Sequence, residues 1–551
     1  MCALRVAIVG GVAGGASAAT RLRRLDEQAS ITVFERGDFV SFANCGLPYR
    51  IGGRIEEDEA LLLQTPESLH ARFRLNVRVR HEVLSIDRQA RAVRVRDRDT
   101  GREFEQPFDK LVLSPGAAPV RPNLPGVEHA LSLRDIPDMR AILERLDTGR
   151  VRQAVVVGGG FVGLEMAENL GRRGLRITVV EAAPQVMIGL DPEMAALVQA
   201  HLRERGIELH LGDGLKAIED AGRQVVLQSG ARLNADLVVL AIGVRPETGL
   251  ARAAGLTIGP RGGIQVNASL QTSDPDIYAV GDAVEKENRL GEPALVPLAW
   301  AANRQGRLVA DHTLGRPVAF RPSLGTAIVQ VFGLSVAATG LNEKQLRAAG
   351  RPHQAIHTHP GNHAGYYPGA QRLSLKLLFD PTTGEILGAQ AVGGPGTDKR
   401  IDVLATAIQA GWRAPDLAEL ELAYAPPYSS AKDPVNMLGY IAQNVLDGMT
   451  PIQWHEFPGP GSVLDVRDRH EFAAGHVPGA LNVPLNELRE HLDDLPAGPI
   501  SVYCQVGLRG YLAVRLLRQH AKDARNLDGG LVTLAAARPE LIETPEPQAT
   551  A

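Results

Sequence analysis

Short apolar runs alternate with helix-length amphipathic stretches along most of this chain, and the alternation begins at its first residues. Leu4–Val9 is a short apolar run, Ala16–Leu25 has helical spacing, and Ile31–Phe34 is a second apolar run ending at Glu35. Runs this short, bounded by glycine, predict parallel strands with a connecting helix. The order returns at Gln153–Val157, the helical Phe161–Leu170 and Ile177–Val180, which ends at Glu181. It restarts after Met449-Thr-Pro, where the apolar Val463-Leu and Ile500–Tyr503 precede a helical Tyr511–Arg518. A chain of 551 residues is too long for one core, so three or four domains are expected.

The turns between these runs carry chemistry. Gly10, Gly11, Ala13, Gly14 and Gly15 link the first strand to its helix, and Gly158, Gly160 and Gly163 do so in the second unit. Glycines there let backbone N–H groups approach a pyrophosphate at a helix N-terminus, and the acid closing the next strand binds a ribose hydroxyl. Glu35, followed by Arg36, and Glu181 are those acids. The second turn completes G-x-G-x-x-G, whereas Val12 takes the middle place in the first. Two such units predict two bound dinucleotides. Glu181 is followed by Ala182, Ala183 and Pro184 with no arginine, which favours NADH over NADPH.

Composition adds exclusions. The chain is 44% hydrophobic and 22% charged with net charge -4, giving no electrostatic reason for a nucleic-acid or acidic-membrane partner. No apolar run is long enough to span a bilayer, and no basic leader precedes the first strand. Three scattered cysteines (Cys2, Cys45 and Cys504) make no disulfide framework and point to a reducing, cytoplasmic setting. Cys2 has no motif around it, while Cys45 and Cys504 lie in patterned loops.

Several segments resemble known families. Thr272–Ala283, containing Gly281 and Asp282, resembles the second FAD motif of two-dinucleotide flavoprotein reductases, in which the matching aspartate binds the ribityl chain. Leu111–Gly116, with Ser114, Pro115 and Gly116, and Val238–Pro246, with Gly243, resemble that family's links between FAD and NAD domains. The resemblance implies FAD-binding parts at 1–120 and 251–320, an NAD domain at 121–250 and a dimerisation domain at 325–445.

Ser41-Phe-Ala-Asn-Cys45-Gly-Leu-Pro-Tyr49 closely resembles the active-site segment of coenzyme A disulfide reductases. Cys45 has no cysteine four or five residues on, so any disulfide it forms joins it to something else. Gly46 and Pro48 suggest a turn into a helix, which is expected to lower the thiol pKa. The resemblance implies that Cys45 cycles through a mixed disulfide with coenzyme A. Ser41, Phe42 and Asn44 would line the pantetheine arm, with Arg21 and Arg24 as candidates for the coenzyme A phosphates. It also implies interface-domain tyrosines near the cysteine of the other subunit, where a phenol can protonate a departing thiolate or steady it with a hydrogen bond; Tyr366 and Tyr424 are favoured, with Tyr367 and Tyr428 as substitutes. His357, His359 and His363 lack a cysteine or carboxylate spaced to complete a metal site, and no metal is expected.

Residues 455–545 resemble a rhodanese domain through Val463–Arg467, Gly475–Pro484 and Cys504-Gln-Val-Gly-Leu-Arg509-Gly. Cys504 would carry sulfane sulfur at a helix N-terminus, with Arg509 adding positive charge. The expected fold is α/β: two Rossmann-like FAD and NAD domains, an α+β dimerisation domain and a C-terminal α/β rhodanese domain. The expected protein is a homodimeric FAD reductase of coenzyme A disulfide, persulfide or polysulfide S–S bonds, driven by NADH with NADPH as the alternative donor, and using coenzyme A. Its rivals are an NADH oxidase or peroxidase on the same scaffold, and a non-enzymatic sulfur-trafficking or redox-sensing flavoprotein.

Overall fold

A computed structural model describes residues 3–544, so Cys2 lies outside the described residues. The chain forms two compact units. The first comprises residues up to Pro184 together with Ile207–Gly325; the second comprises Gln185–Gly206 together with the chain from Thr326. Residues 185–206, which sequence assigns to the NAD domain, therefore cluster with the C-terminal half.

In the first unit a five-stranded parallel sheet runs in the order Ile277–Ala279, Lys110–Leu113, Arg5–Val9, Ser30–Phe34, Asn76–Arg78. The strand that returns last in sequence sits at one edge, so the FAD-type fold closes only after the NAD-type domain has been inserted. Val6, Ile8, Ile31 and Val33 meet Ala18 and Leu22 of helix Ala13–Leu25 in its core. Helix Ala299–Thr313 packs tightly on that helix, with Gly306 against the backbone of Gly14. A second five-stranded parallel sheet runs Glu208–Leu211, Arg176–Glu181, Gln153–Val157, Leu237–Leu240, Leu131–Ser132. Ala117–Pro119 and Val244–Pro246, where the chain leaves and re-enters the first fold, pair antiparallel.

The second unit is built on a five-stranded antiparallel sheet in the order Ala327–Val331, Leu334–Gly340, Ile386–Gly393, Leu373–Phe379, Gln354–Thr358, covered by helix Thr397–Ala410. A four-stranded parallel sheet, Leu481–Asn482, Ser462–Asp465, Ile500–Tyr503, Ala524–Asn526, forms the C-terminal domain. Helix Pro192–Glu204 packs on helix Gly530–Ala537 of that domain. No described helix is long and apolar enough to cross a membrane.

Candidate functional site

Both dinucleotide turns are built the same way. A Cβ on Gly10 would lie 2.0 Å from the carbonyl oxygen of Ser114, and one on Gly15 would lie 1.9 Å from that of Gly10. At the second turn a Cβ on Gly158 would lie 2.2 Å from the Ala241 oxygen, and one on Gly163 would lie 1.9 Å from that of Gly158. These glycines are required by close backbone approach. The middle position differs: Val12 and Gly160 both cap their helices with negative φ, -94° and -85°, so a side chain is tolerated in the first turn.

The acids repeat as well. Glu35 accepts hydrogen bonds from the N–H groups of Gly11 and Gly37, both at 2.9 Å. Glu181 accepts from Gly159 at 2.7 Å and Ala183 at 2.8 Å. Each carboxylate thus braces its glycine turn from the end of the neighbouring strand, where a ribose would lie.

A cavity of about 1360 Å³ opens at the C-terminal ends of the first sheet's strands, as expected for an α/β ligand crevice. Its lining includes Gly10, Ala13, Gly14, Glu35, Arg36, Ser114, Pro115, Gly116, Gly281 and Asp282, together with Phe42 and Asn44. Gly11 and Gly15 stand behind this wall, braced by Glu35 and packed on Gly10. Gly243 lies in the link, its carbonyl accepting from Val120. The volume, the glycine cradle and the acid at the strand end fit FAD. Burial pushes the Asp282 carboxyl pKa up. Three residues without a sequence signal support the wall: Glu247 and Arg134 line it, Glu247 joining Arg36 at 2.6 Å to Arg134, and buried Gln305 stands behind it, accepting from the Gly281 N–H at 2.6 Å.

Cys45 sits in a single 3-10 turn, Asn44–Gly46, followed by helix Leu47–Ile51. The segment is pinned where Ser41 N–H donates to Gly11 at 2.9 Å and Ala43 N–H to Leu61 at 2.8 Å. Cys45 is exposed, with Sγ 3.8 Å from Asn44 Oδ1. The lowered thiol pKa expected from the turn is corrected by the structure. Desolvation pushes it up, the carboxyls of Glu165 and Asp282 push further, and only a backbone hydrogen bond opposes them. The following helix has five residues, too few for a strong dipole to compensate. Glu165 itself is raised by burial and accepts from Tyr49 Oη at 3.1 Å, which pushes that phenol up to about 12 after its own desolvation.

Arg21 is also corrected. Its guanidinium is committed to Asp311 at 2.8 Å on the neighbouring helix, both side chains largely buried, which leaves it a packing role. Arg24 remains exposed, bonded only to the Thr20 carbonyl at 3.1 Å.

In the second unit Tyr366 and Tyr424 share a hydrogen bond, Oη to Oη at 2.9 Å, although each is exposed. Tyr424 raises the Tyr366 pKa through that bond, keeping the phenol protonated. Tyr367 instead lies edge-on to His363 at 5.6 Å. The three histidines do not converge. His357 bonds Asp528 and Glu193, His359 bonds Ser374 and Thr533, and His363 bonds the carbonyl of Ala364.

Cys504 follows strand Ile500–Tyr503 and is fully buried, at 0% exposure. Its loop leads through Gly507, the N-cap, into helix Leu508–Gln519. Arg509 is held by Glu471 at 2.6 and 2.7 Å, which drops that carboxyl to about 2. The guanidinium is thus fixed in place, with an electrostatic link to Cys504.

Residues 4–306 match the pyridine nucleotide-disulphide oxidoreductase family, residues 326–434 its dimerisation domain and residues 452–537 the rhodanese-like domain. The chain is 36% identical over 445 residues to a coenzyme A disulfide reductase of Staphylococcus haemolyticus, a match covering 80% of this chain and 100% of that protein. The solved structure of reduced Bacillus anthracis CoADR-RHD is similar at TM-score 0.96 and 46% identity, covering 98% of this chain and 99% of that one. A NAD-dependent persulfide reductase from A. fulgidus is similar at TM-score 0.92 and 36% identity, covering 96% and 100%. With two matched dinucleotide turns, a dimerisation sheet and a C-terminal sulfur-type domain in one chain, the protein belongs to the pyridine nucleotide-disulphide oxidoreductase family.

Proposed function

We propose that this protein is an NADH-driven flavoenzyme that reduces the S–S bond of coenzyme A disulfide or coenzyme A persulfide. The observation that carries this reading is Cys45, an exposed thiol beside Asn44, itself on the cavity wall. The names of the similar proteins support the same substrates. Net turnover is R–S–S–R′ + NADH + H⁺ → RSH + R′SH + NAD⁺, with hydrogen sulfide as the second thiol when the substrate is a persulfide.

Bound FAD, held by Gly10, Gly14, Glu35, Ser114, Gly281 and Asp282, supplies the two-electron relay between nicotinamide and sulfur. Cys45, as thiolate, attacks one sulfur of the substrate, releases the other as thiol and retains the mixed disulfide. The hydrogen-bonded phenols Tyr366 and Tyr424 are assigned as proton donors to the departing thiolate. Asn44, Phe42, Ser41 and Arg24 are assigned to the coenzyme A arm. Cys504 accepts sulfane sulfur from a persulfide, R–S–SH + Cys504–S⁻ → RS⁻ + Cys504–S–SH, and hands it to coenzyme A. The dimerisation domain supports a homodimer, and the two free cysteines among the described residues, Cys45 and Cys504, suit a reducing compartment.

The test is an intact-mass spectrum of the denatured enzyme after treatment with coenzyme A disulfide. The expected result is an added coenzyme A mass that thiol removes and that Cys45→Ser lacks, with NADH consumed in step with free thiol. No adduct, with NADH oxidation dependent on oxygen alone, would instead make it an oxidase.

NADH preference rests on Glu181, whose carboxylate faces a ribose diol favourably and a 2′-phosphate unfavourably. Glu181→Ala is expected to lower kcat/KM for NADH by about 10- to 100-fold, the worth of hydrogen bonds to a charged group. The value for NADPH should hold or rise. A wild-type enzyme that already prefers NADPH would overturn the assignment.

A further inference from the structure

The geometry points to His357 as a positioning residue for the Cys504 loop, so that the dimerisation domain sets the sulfur chemistry of the rhodanese domain fused to it. This rests on Cys504 acting as the sulfur carrier, as proposed above.

The connection is a short, continuous chain of contacts. His357 lies in strand Gln354–Thr358 and is 3% exposed. It grips Asp528 with two donors: its backbone N–H bonds Oδ1 at 3.0 Å and its ring Nδ1 bonds Oδ2 at 2.6 Å. Two bonds to one carboxylate fix the plane of that side chain, and with it the turn that follows. Gly529 and Gly530 both adopt left-handed φ, +65° and +62°. A Cβ on Gly529 would lie 2.9 Å from His357 Cβ, and one on Gly530 would lie 2.4 Å from the Cys504 carbonyl oxygen and 2.7 Å from the Gly507 nitrogen. The turn is therefore sandwiched between His357 on one side and the Cys504 loop on the other. Immediately beyond it, Leu531 N–H donates to the Cys504 carbonyl at 2.8 Å and Val532 N–H to that of Gln505 at 3.1 Å.

The grip is itself held. His357 Nε2 bonds Glu193 at 3.0 Å, and paired carboxylates push the imidazole up to about 9 against the opposing effect of burial. Two residues on from His357, just past the end of that strand, His359 bonds Thr533 Oγ1 at 2.8 Å and Ser374 Oγ at 2.9 Å. Thr533 lies in helix Gly530–Ala537, so this segment holds both the turn and the helix that wall the loop. Gln453 adds a third tie, from Nε2 to the Ala355 carbonyl at 3.0 Å. The paired histidines that invite a metal reading in the sequence are thus spent on docking. A buried, doubly paired imidazolium is an expensive way to join two domains unless its geometry matters. Here the geometry ends on the main chain of Cys504.

The test compares His357→Gln, Asp528→Asn and Cys504→Ser in the full-length holoenzyme. Cys504 reactivity is read two ways: as transfer of sulfur from thiosulfate to cyanide, and as the pH profile of Cys504 alkylation by iodoacetamide in a Cys45→Ser background. Both grip variants should lower kcat for sulfur transfer by about 10- to 100-fold, the cost of misplacing a reacting atom by roughly an ångström. Both should also shift the Cys504 alkylation profile, while NADH-driven reduction of coenzyme A disulfide at Cys45 stays within about twofold. A purely structural role would not move the alkylation profile of a folded variant. If either variant folds and reacts at Cys504 as the wild type does, the positioning role is overturned; should one fail to fold, the other decides. If the wild type shows no sulfur transfer that Cys504→Ser removes, the carrier reading fails instead, and the alkylation profile still judges the grip.

Discussion

Cys45→Ser is expected to lower NADH-driven reduction of coenzyme A disulfide by more than about 10³-fold, the scale on which removing a nucleophile is felt. FAD content and thermal stability should remain those of the wild type, because Cys45 is exposed and serine is nearly isosteric with it, and such surface changes stay within about 0.5 kcal/mol. Serine keeps the shape but cannot form the mixed disulfide, so the coenzyme A adduct should vanish with the activity. Normal turnover by the variant, measured as NADH loss against free thiol, would remove Cys45 from the reaction. The raised thiol pKa adds a second expectation. Attack requires thiolate, so the reduced wild-type enzyme should react with disulfide faster as pH rises, through and beyond the ordinary thiol range of about 8.5. A profile that is flat above neutrality would mean that bound FAD or coenzyme A overrides Glu165 and Asp282.

That pKa marks the boundary of what could be read from residues in order. The glycine turns were legible because their spacing is local: Gly10 and Gly15, or Gly158 and Gly163, touch within one strand–turn–helix unit. The acids Glu35 and Glu181 were legible for the same reason, lying at the end of the next strand. The segments around Cys45 and Cys504 carried their resemblance in a few contiguous residues. The direction of the Cys45 shift depends on Glu165 and Asp282, far away in sequence, so no local pattern contains it. Arg21 offered an exposed-looking position on a helix face, but its partner Asp311 is 290 residues on. Glu247 is similarly remote from Arg36, the cavity residue it holds, 211 positions away. The C-terminal domain was legible as a separate pattern. Its membership of one compact unit with the dimerisation sheet was not, because that depends on Asp528 meeting His357 across 171 positions. One further signal does lie in the sequence: Lys376 interrupts the largely apolar run Leu373–Phe379, whose seven residues are all buried.

Lys376→Met is expected to destabilise the second unit by roughly 3–5 kcal/mol, the cost of removing one partner from a buried ion cluster. The ammonium is 0% exposed and meets Asp191 at 2.9 Å, Glu343 at 2.6 Å and Glu193. Those acids stand at or beside the N-termini of helices Pro192–Glu204 and Glu343–Ala348, so one cation in the sheet joins two helix starts to it. Methionine fills similar space but leaves buried carboxylates facing one another, and urea unfolding or hydrogen exchange of strand Leu373–Phe379 should report the loss. The deficit should depend on pH with a definite sign. Despite its burial, Glu193 is pulled down to about 2 by Lys376, with help from His357. A carboxyl with a depressed folded pKa contributes stability that is present above its unfolded value of about 4.3 and lost as pH falls through the folded one. The gap between wild type and variant should therefore be widest above about pH 4.3 and close toward pH 2. On the alkaline side His357, raised to about 9, contributes in the opposite sense. Its share is complete below about 6.5 and is lost as pH rises through about 9, which loosens the same unit from the other end. A variant as stable as the wild type at neutral pH would mean that this cluster costs as much to bury as it returns.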